Sequence, residues 1–175
     1  NIKRCLNSIV DIADEIIVID SFSNDATKEI CSHFNVKFIE AEWLGYSKSK
    51  NFAIQQCQYS YIFSLDADEE VSETLKLNIL DEKEKGLTGA YSFNRLSNYC
   101  GKWIHHGDWY PDRKMRLWNK ADGLWEGHDV MEVASYDGWL RNKELVLNIR
   151  PNQSENVVYV DSQLENIDAL FLNSK

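Results

Sequence analysis

The sequence predicts an α/β domain with a mostly parallel central sheet and helices on both faces. Two observations carry this. Short apolar, β-branched runs alternate with stretches whose apolar residues recur at helical spacing, the pattern of strands joined through crossover helices. Acids stand directly after the runs, at Asp20 and at Asp66 and Asp68, where open α/β sheets bind their ligands.

Each element follows from its local pattern. Ile2, Cys5, Leu6, Ile9 and Val10 form one stripe, so the chain opens on a helix. Glu15 to Asp20 reads as a strand, and the polar turn from Ser21 to Asp25 can cap a helix that runs through Phe34. Val36 to Glu40 predicts a strand, Ser47 to Cys57 a helix and Tyr61 to Leu65 a strand, after which Ser72 caps a helix to about Lys83. Beyond Gly86, Ala90 to Leu96 and Lys114 to Trp118 read as strands on either side of an aromatic, glycine-containing loop from Asn98 to Asp112. Glu144 to Ile149 reads as a last strand, and Val157, Val160, Leu164, Ile167 and Phe171 predict a closing amphipathic helix. No repeat or linker divides the chain, so residues 1–175 read as one domain. A doubly wound fold usually starts on a strand, and one is expected to be missing ahead of the first helix.

Composition narrows the function. A chain of 175 residues, 43% apolar and 27% charged, can build a sizeable core and is neither disordered, collagen-like nor coiled coil. Its 19 bases against 28 acids, a net charge of −9, exclude a broad nucleic-acid-binding face. No apolar run approaches the ~20 residues of a membrane span, so a soluble chain is expected, cytoplasmic or at the inner face of the membrane with peripheral contact. Cys5, Cys31, Cys57 and Cys100 include no C-x-x-C pair, which favours reduced thiols in a reducing compartment over a structural zinc site.

The sharpest chemical signal is Tyr61-Ile-Phe-Ser-Leu-Asp-Ala-Asp68, an apolar strand that ends in two carboxylates one residue apart. Oxygen ligands of this kind suit Mg²⁺ or Mn²⁺ bridged to a diphosphate; the same acids would also suit the positive end of a following helix. Residues 66–85 hold eight acids and three bases, whereas residues 102–120 hold five bases and two acids. In Lys114 to Trp118, a period of two puts Lys114, Arg116 and Trp118 on one face and Met115 and Leu117 on the other. Guanidinium groups facing a metal would serve a departing diphosphate, although an ordinary exposed strand face has the same pattern. His105 and His106 would diverge on a strand, so no paired metal role is read into them.

A resemblance becomes specific at this point. Asp20-Ser-Phe-Ser-Asn-Asp25-Ala-Thr27 is similar to the D-[DS]-G-S-T-D-x-T segment of family 2 glycosyltransferases, and Asp66-Ala-Asp68-Glu69 to their D-x-D element. Trp43-Leu-Gly45 and Lys48-Ser-Lys50-Asn51-Phe-Ala53 resemble the W-x-G…K-N-x-A stretch of the branch containing lipopolysaccharide core β-glucosyltransferases. Asn94-Arg95, Gly101-Lys102, Trp109-Tyr-Pro111-Asp112 and Arg116-Leu117-Trp118 resemble its R…G-K…G-W-x-P-D…R-L-[FW] run. The match runs in order over roughly residues 1–133. Two positions depart from the family: Phe22 stands where a glycine is usual, and Val130-Met131-Glu132 replaces V-H-E.

The resemblance implies a GT-A fold, lacking its first strand here, a nucleotide-sugar donor (a UDP-sugar first), Mg²⁺ or Mn²⁺, and transfer with inversion to a glycan or lipid-linked acceptor in cell-envelope polysaccharide synthesis. It implies that Asp20, Asp25, Lys50, Asn51 and Asp66 serve the donor and that Asp68 binds the metal. Trp109, Asp112, Arg113 and Arg116 would face the acceptor or the leaving diphosphate, and Glu132 is the base, or Asp129 if that alignment slips by a gap. Residues 1–85 then form the nucleotide-sugar half, 86–150 the acceptor half and 151–175 a C-terminal helix. Two alternatives stand beside it: a non-catalytic nucleotide-sugar or glycan-binding relic, and a phosphatase of the haloacid-dehalogenase type using Asp66 and Asp68.

Overall fold

The computed structural model describes residues 1–126 in full and, beyond them, the backbone of 133–136, 157–161 and 170–174. The elements are α1 (Ile2–Ile9), β1 (Glu15–Asp20), α2 (Thr27–Ser32), β2 (Lys37–Glu40), α3 (Tyr46–Gln56), β3 (Tyr61–Leu65), β4 (Glu69–Val71) and α4 (Glu73–Lys85). They continue with β5 (Ala90–Tyr99), β6 (Lys102–Ile104), a 3₁₀ turn (Gly107–Trp109), β7 (Asp112–Asn119), β8 (Gly123–Glu126), β9 (Val133–Tyr136), β10 (Val157–Asp161) and β11 (Leu170–Ser174). The helix start expected at Ser72 is made as expected: its hydroxyl accepts a hydrogen bond from the Leu75 amide at 3.2 Å. Lys83 and Lys85 occupy the last turn of α4, where the helix dipole favours cations.

Among the described residues nine strands form one sheet, in the order β2-β1-β11-β3-β7-β5-β10-β4 with β6 beside β5, and β8 pairs with β9 separately. Strand alternation sorts the apolar residues onto two faces. Ile16 and Val18 of β1, Phe63 and Leu65 of β3, Tyr91 and Phe93 of β5 and Leu117 of β7 pack against Cys5, Leu6 and Ile9 of α1, Cys31 of α2 and Leu75 and Ile79 of α4. Ile17, Ile19, Ile62, Ala90 and Trp118 face the other way, onto Ala53 and Ile54 of α3 and Trp125 of β8. Helices therefore cover both faces, as expected. The sulfurs of Cys5, Cys31 and Cys57 are buried and Cys100 is exposed, all four as free thiols.

Two expectations are corrected. The sheet is mixed: β1–β2 and β5–β10 are parallel, while β3–β7, β5–β7, β5–β6 and both pairings of β11 are antiparallel. The reason lies partly in connection length, since the two residues between β5 and β6 can join only antiparallel strands. The closing helix is not formed at Val157–Asp161 or Leu170–Ser174, which are strands; Val157-Val-Tyr-Val160 is β-branched and aromatic, and the sheet offers it unpaired edges on β5 and β4. Leu164 and Ile167 lie outside the described residues, as does the strand expected at Glu144 to Ile149. Between β3 and α4 the structure adds a short strand, β4, at Glu69–Val71.

The topology sets the site. Leu170 lies opposite both Val18 and Leu65, so β1 and β3 point the same way with β11 between them, about 10 Å apart at two strand spacings. Asp20 and Asp66 therefore end up at one edge of the sheet.

Two substitutions test this packing. Phe93, buried and edge-on to Phe63 at 5.5 Å between ring centroids, should cost about 3–5 kcal/mol as Phe93→Ala. Ser72→Ala should cost about 1 kcal/mol through the lost helix cap. Urea melts of the two variants measure both, and equal losses would contradict the assignment of Ser72 as a cap and Phe93 as core.

Candidate active site

Asp20 closes β1 with its carboxylate turned onto its own loop, accepting hydrogen bonds from the Ser23 amide at 2.9 Å and from the Ser23 hydroxyl. This turn holds Phe22 at φ 59°, a left-handed conformation that favours glycine, which accounts for glycine being usual at that position. The neighbouring Ser21 hydroxyl has no hydrogen-bond partner among the described residues, although it is buried. Asp25 accepts from the Thr27 amide at 2.9 Å, and the Thr27 hydrogen bonds hold its carboxyl below the usual range. It stands one residue ahead of Ala26, the N-cap of α2.

The acid pair after β3 divides sharply. Asp66 is gripped from both sides: Lys50 Nζ of α3 lies 2.8 Å from Oδ1 and Arg116 Nη2 of β7 lies 3.2 Å from Oδ2. Burial alone would raise its carboxyl, but the two cations outweigh burial and hold it well below the usual carboxylate range. Arg116 Nη2 also bonds Glu69, whose second oxygen accepts from the Asp66 amide at 3.1 Å, while the Glu69 amide donates to the Asp66 carbonyl at 2.9 Å. Burial, only partly offset by Arg116, pushes Glu69 up to about 7. Asp68 is half-buried, and its carboxyl is raised by burial and by the charge of Asp66.

Around this centre the sheet adds further charge. Arg95 of β5 binds Asp112 at 2.6 Å and reaches Glu69 at 3.8 Å, and Lys114 binds Asp112 at 3.0 Å. Burial raises Asp112, yet these cations carry it below the usual range. On the other face Lys50 Nζ sits 4.4 Å from the centre of the Trp125 ring, a cation–π contact. Asn51 fixes that tryptophan through both ends of its amide, donating to the Trp125 carbonyl at 2.8 Å and accepting from its amide at 2.9 Å.

The expected site residues have partners within the protein. Lys50 is 3% exposed and Arg116 4%; both are committed to carboxylates and hold the acid loop in place. Asn51 is bound to backbone, and Asp112 is tied to Arg95 and Lys114. Trp109 and Arg113 are exposed. The expected alternation in Lys114 to Trp118 fails at a β-bulge: Tyr91 lies opposite Leu117 and Ser92 opposite Met115, which leaves Arg116 as the extra residue. Met115 consequently packs on the Trp118 side while Leu117 packs on the other. Asp129, Met131 and Glu132 lie outside the described residues, on the connection between paired strands β8 and β9. Sequence reasoning gave no role to Glu69, Arg95 or Trp125. The first two stood inside quoted motifs, whereas Trp125 carried no signal.

The class is thus an α/β domain that gathers carboxylates at the ends of parallel-pointing strands, one held between two cations and one raised by burial and its neighbour's charge. The chain belongs to glycosyl transferase family 2, whose family model matches residues 1–147. It is 44% identical over 152 residues to an uncharacterized glycosyltransferase of Rickettsia bellii, covering 82% of this chain and 49% of that one. It is 32% identical over 78 residues to the lipopolysaccharide core biosynthesis glycosyltransferase LpsC of Rhizobium meliloti, covering 42% of this chain and 28% of that one. Among solved structures it is similar to S. aureus TarS 1-349 in complex with UDP, with a TM-score of 0.47 and 20% identity, covering 69% of this chain and 43% of that one. The chain spans about half the length of the Rickettsia relatives it matches. Family membership answers the phosphatase alternative. No helix among the described residues is long and apolar enough to cross a membrane.

The grip on Asp66 has a pH signature. A carboxylate whose folded pKa is depressed contributes stability that is present above its unfolded value near 3.9 and lost as pH falls toward the folded one. Lys50→Met should therefore cost about 3 kcal/mol at pH 7, by leaving a buried charge half-compensated, and clearly less at pH 4, where Asp66 without Lys50 can take up a proton. Denaturant melts of both chains at the two pH values decide this; a loss independent of pH would contradict it.

Proposed function

We propose that this chain carries the donor site of an inverting glycosyltransferase that moves a sugar from a nucleotide-sugar donor to a hydroxyl of a glycan or lipid-linked acceptor of the cell envelope. The carrying observation is the division within Asp66-Ala-Asp68: one carboxylate is neutralised by two cations, and its neighbour is left half-buried with its charge unbalanced. That imbalance suits a divalent cation. Mg²⁺ or Mn²⁺ at Asp68 would take further ligands from phosphate and water, as Mg²⁺ usually does. When bound, it would supply positive charge to the diphosphate as that group leaves.

The chain's own residues do the rest. Asp20 and the unpartnered Ser21 hydroxyl are the groups for the nucleoside, with a UDP-sugar the first donor to test. Lys50, Arg116 and Glu69 fix Asp66 so that Asp68 stays aimed at the ligand. The acceptor oxygen attacks the anomeric carbon as the bond from that carbon to the diphosphate breaks, and its proton passes to a carboxylate, for which Glu132 is the candidate and Asp129 the substitute. The name of the LpsC relative, a lipopolysaccharide core enzyme, supports an envelope glycan as the acceptor.

Two experiments on the full-length protein test this. Asp68→Asn removes a charge that a cation needs, so Mn²⁺-dependent stabilisation by UDP-, GDP- or dTDP-sugars, read as a thermal shift, should disappear with Asp68→Asn; undiminished metal-dependent binding would refute the assignment. Glu132→Gln should lower kcat by at least ~10²-fold with little change in donor affinity. Should Glu132→Gln retain turnover while Asp129→Asn loses it, the base is Asp129.

A further inference from the structure

Beyond the acid centre, β5 continues outward and carries a second feature that the donor chemistry does not use. Arg95 and Tyr99 are four residues apart on one strand, so their side chains share a face about 13 Å apart. At one end of this line Arg95 reaches Glu69 and so the Asp66 to Asp68 loop. At the other, Tyr99 meets Trp109 edge to face, with ring centroids 6.2 Å apart, and the two side chains are 58% and 50% exposed.

The platform is rigidly built. Tyr99 pairs with Lys102 across a two-residue turn in which Cys100 has φ 50° and Gly101 φ 79°, the left-handed pair of a tight hairpin whose twist matches its strands. Asn98 Oδ1 accepts from the Gly101 amide at 3.0 Å and closes the turn. Trp109 comes from the adjoining 3₁₀ turn. Two exposed rings cost free energy in water, and an edge-to-face corner presents ring faces to the C–H face of a pyranose. The exposed neighbours in the same hairpin and turn include a third ring, Trp103, and Lys102, His105, His106 and Asp108, the last four hydrogen-bonding partners for hydroxyls. A membrane-seated surface would pair a continuous apolar face with cations, whereas the anion Asp108 and the polar His105 and His106 interrupt this one.

We propose that Tyr99 and Trp109 form a stacking subsite for a sugar ring of the acceptor remote from the ring that reacts. The span from the acid centre exceeds a single pyranose, so the acceptor is an oligosaccharide chain that already carries several sugars. This rests on the glycosyltransferase reading above and adds the length of the acceptor to it.

The test titrates the full-length protein with glucose, cellobiose, cellotriose and cellotetraose, and separately with phosphatidylcholine vesicles containing phosphatidylglycerol. The readout is the tryptophan fluorescence difference between the native chain and Trp109→Phe. The expected result is a Trp109 signal that responds to the tri- and tetrasaccharide and not to glucose, with affinity falling about tenfold in Tyr99→Ala. Circular dichroism of Tyr99→Ala and Tyr99→Phe checks folding, and Tyr99→Phe, which keeps the ring, should retain the affinity. A signal that responds equally to glucose, responds to no sugar, or responds only to vesicles overturns the proposal. Donor binding by the native chain, followed in parallel by thermal shift with Mn²⁺, separates the two readings: its absence refutes the transferase reading, whereas its presence without a Trp109 response refutes the subsite alone.

Discussion

The clamp on Asp66 is the interaction on which the site depends. Lys50 comes from α3, Arg116 from β7 and Glu69 from β4, so one carboxylate just past β3 ties together elements on both sides of the sheet. Charges taken this far out of water are stable only as a set, because removing one leaves another uncompensated. A packed apolar cluster would hold the same elements together at least as well, so stability does not explain the choice of ions. What an ion cluster adds is direction: each oxygen of Asp66 has its own partner, and the loop that carries Asp68 can take up only one course.

The fold delivers the partners by local irregularity as much as by regular structure. Arg116 would alternate with its neighbours in an even strand, and the bulge opposite Tyr91 and Ser92 frees it to reach both Asp66 and Glu69. Trp125 plays the opposite part on the far face. Held by Asn51 and roofed by Lys50, it closes the apolar side of the clamp and packs edge-on against Trp118 at 5.6 Å. The K-N pair seen in the sequence is thus one device: the lysine grips the acid, and the asparagine grips the tryptophan that the lysine rests on.

Elements whose pattern was local and strongly periodic were legible in the sequence. The stripe of α1, the β-branched β1, the apolar β3 and the Ser72 cap all lie where their own residues put them. What depended on distant partners was not. The Val157 to Phe171 stripe has helical spacing, yet Val157–Asp161 and Leu170–Ser174 are strands, because open sheet edges decide between a helix and a strand in a short apolar segment. The site followed the same rule. The acids were identifiable because they follow strands, while the bond that Asp25 accepts from the Thr27 amide carried no sequence signal of its own. Lys50 and Arg116 were seen as cations for a ligand, since sequence reveals a charge and not the carboxylate that already neutralises it.

That last point bears on how a diphosphate could be received here. The cations closest to the acid pair, Lys50 and Arg116, are buried and committed to Asp66 and Glu69, and Arg95 and Lys114 are committed to Asp112. Under the proposed function, an incoming diphosphate would meet Asp68 and the strand ends that bear Asp20, and like charges at short range repel. Breaking the clamp to release Arg116 would expose Asp66 and Glu69 to the same anion, which makes the repulsion worse. Under the proposed function, the compensation that would disturb the chain least is a cation brought with the ligand and seated on Asp68. The raised carboxyl of Asp68 and the lowered carboxyl of Asp66 are two consequences of one placement of charge: Lys50 and Arg116 are drawn onto Asp66 and hold the loop, while burial and the charge of Asp66 act on Asp68.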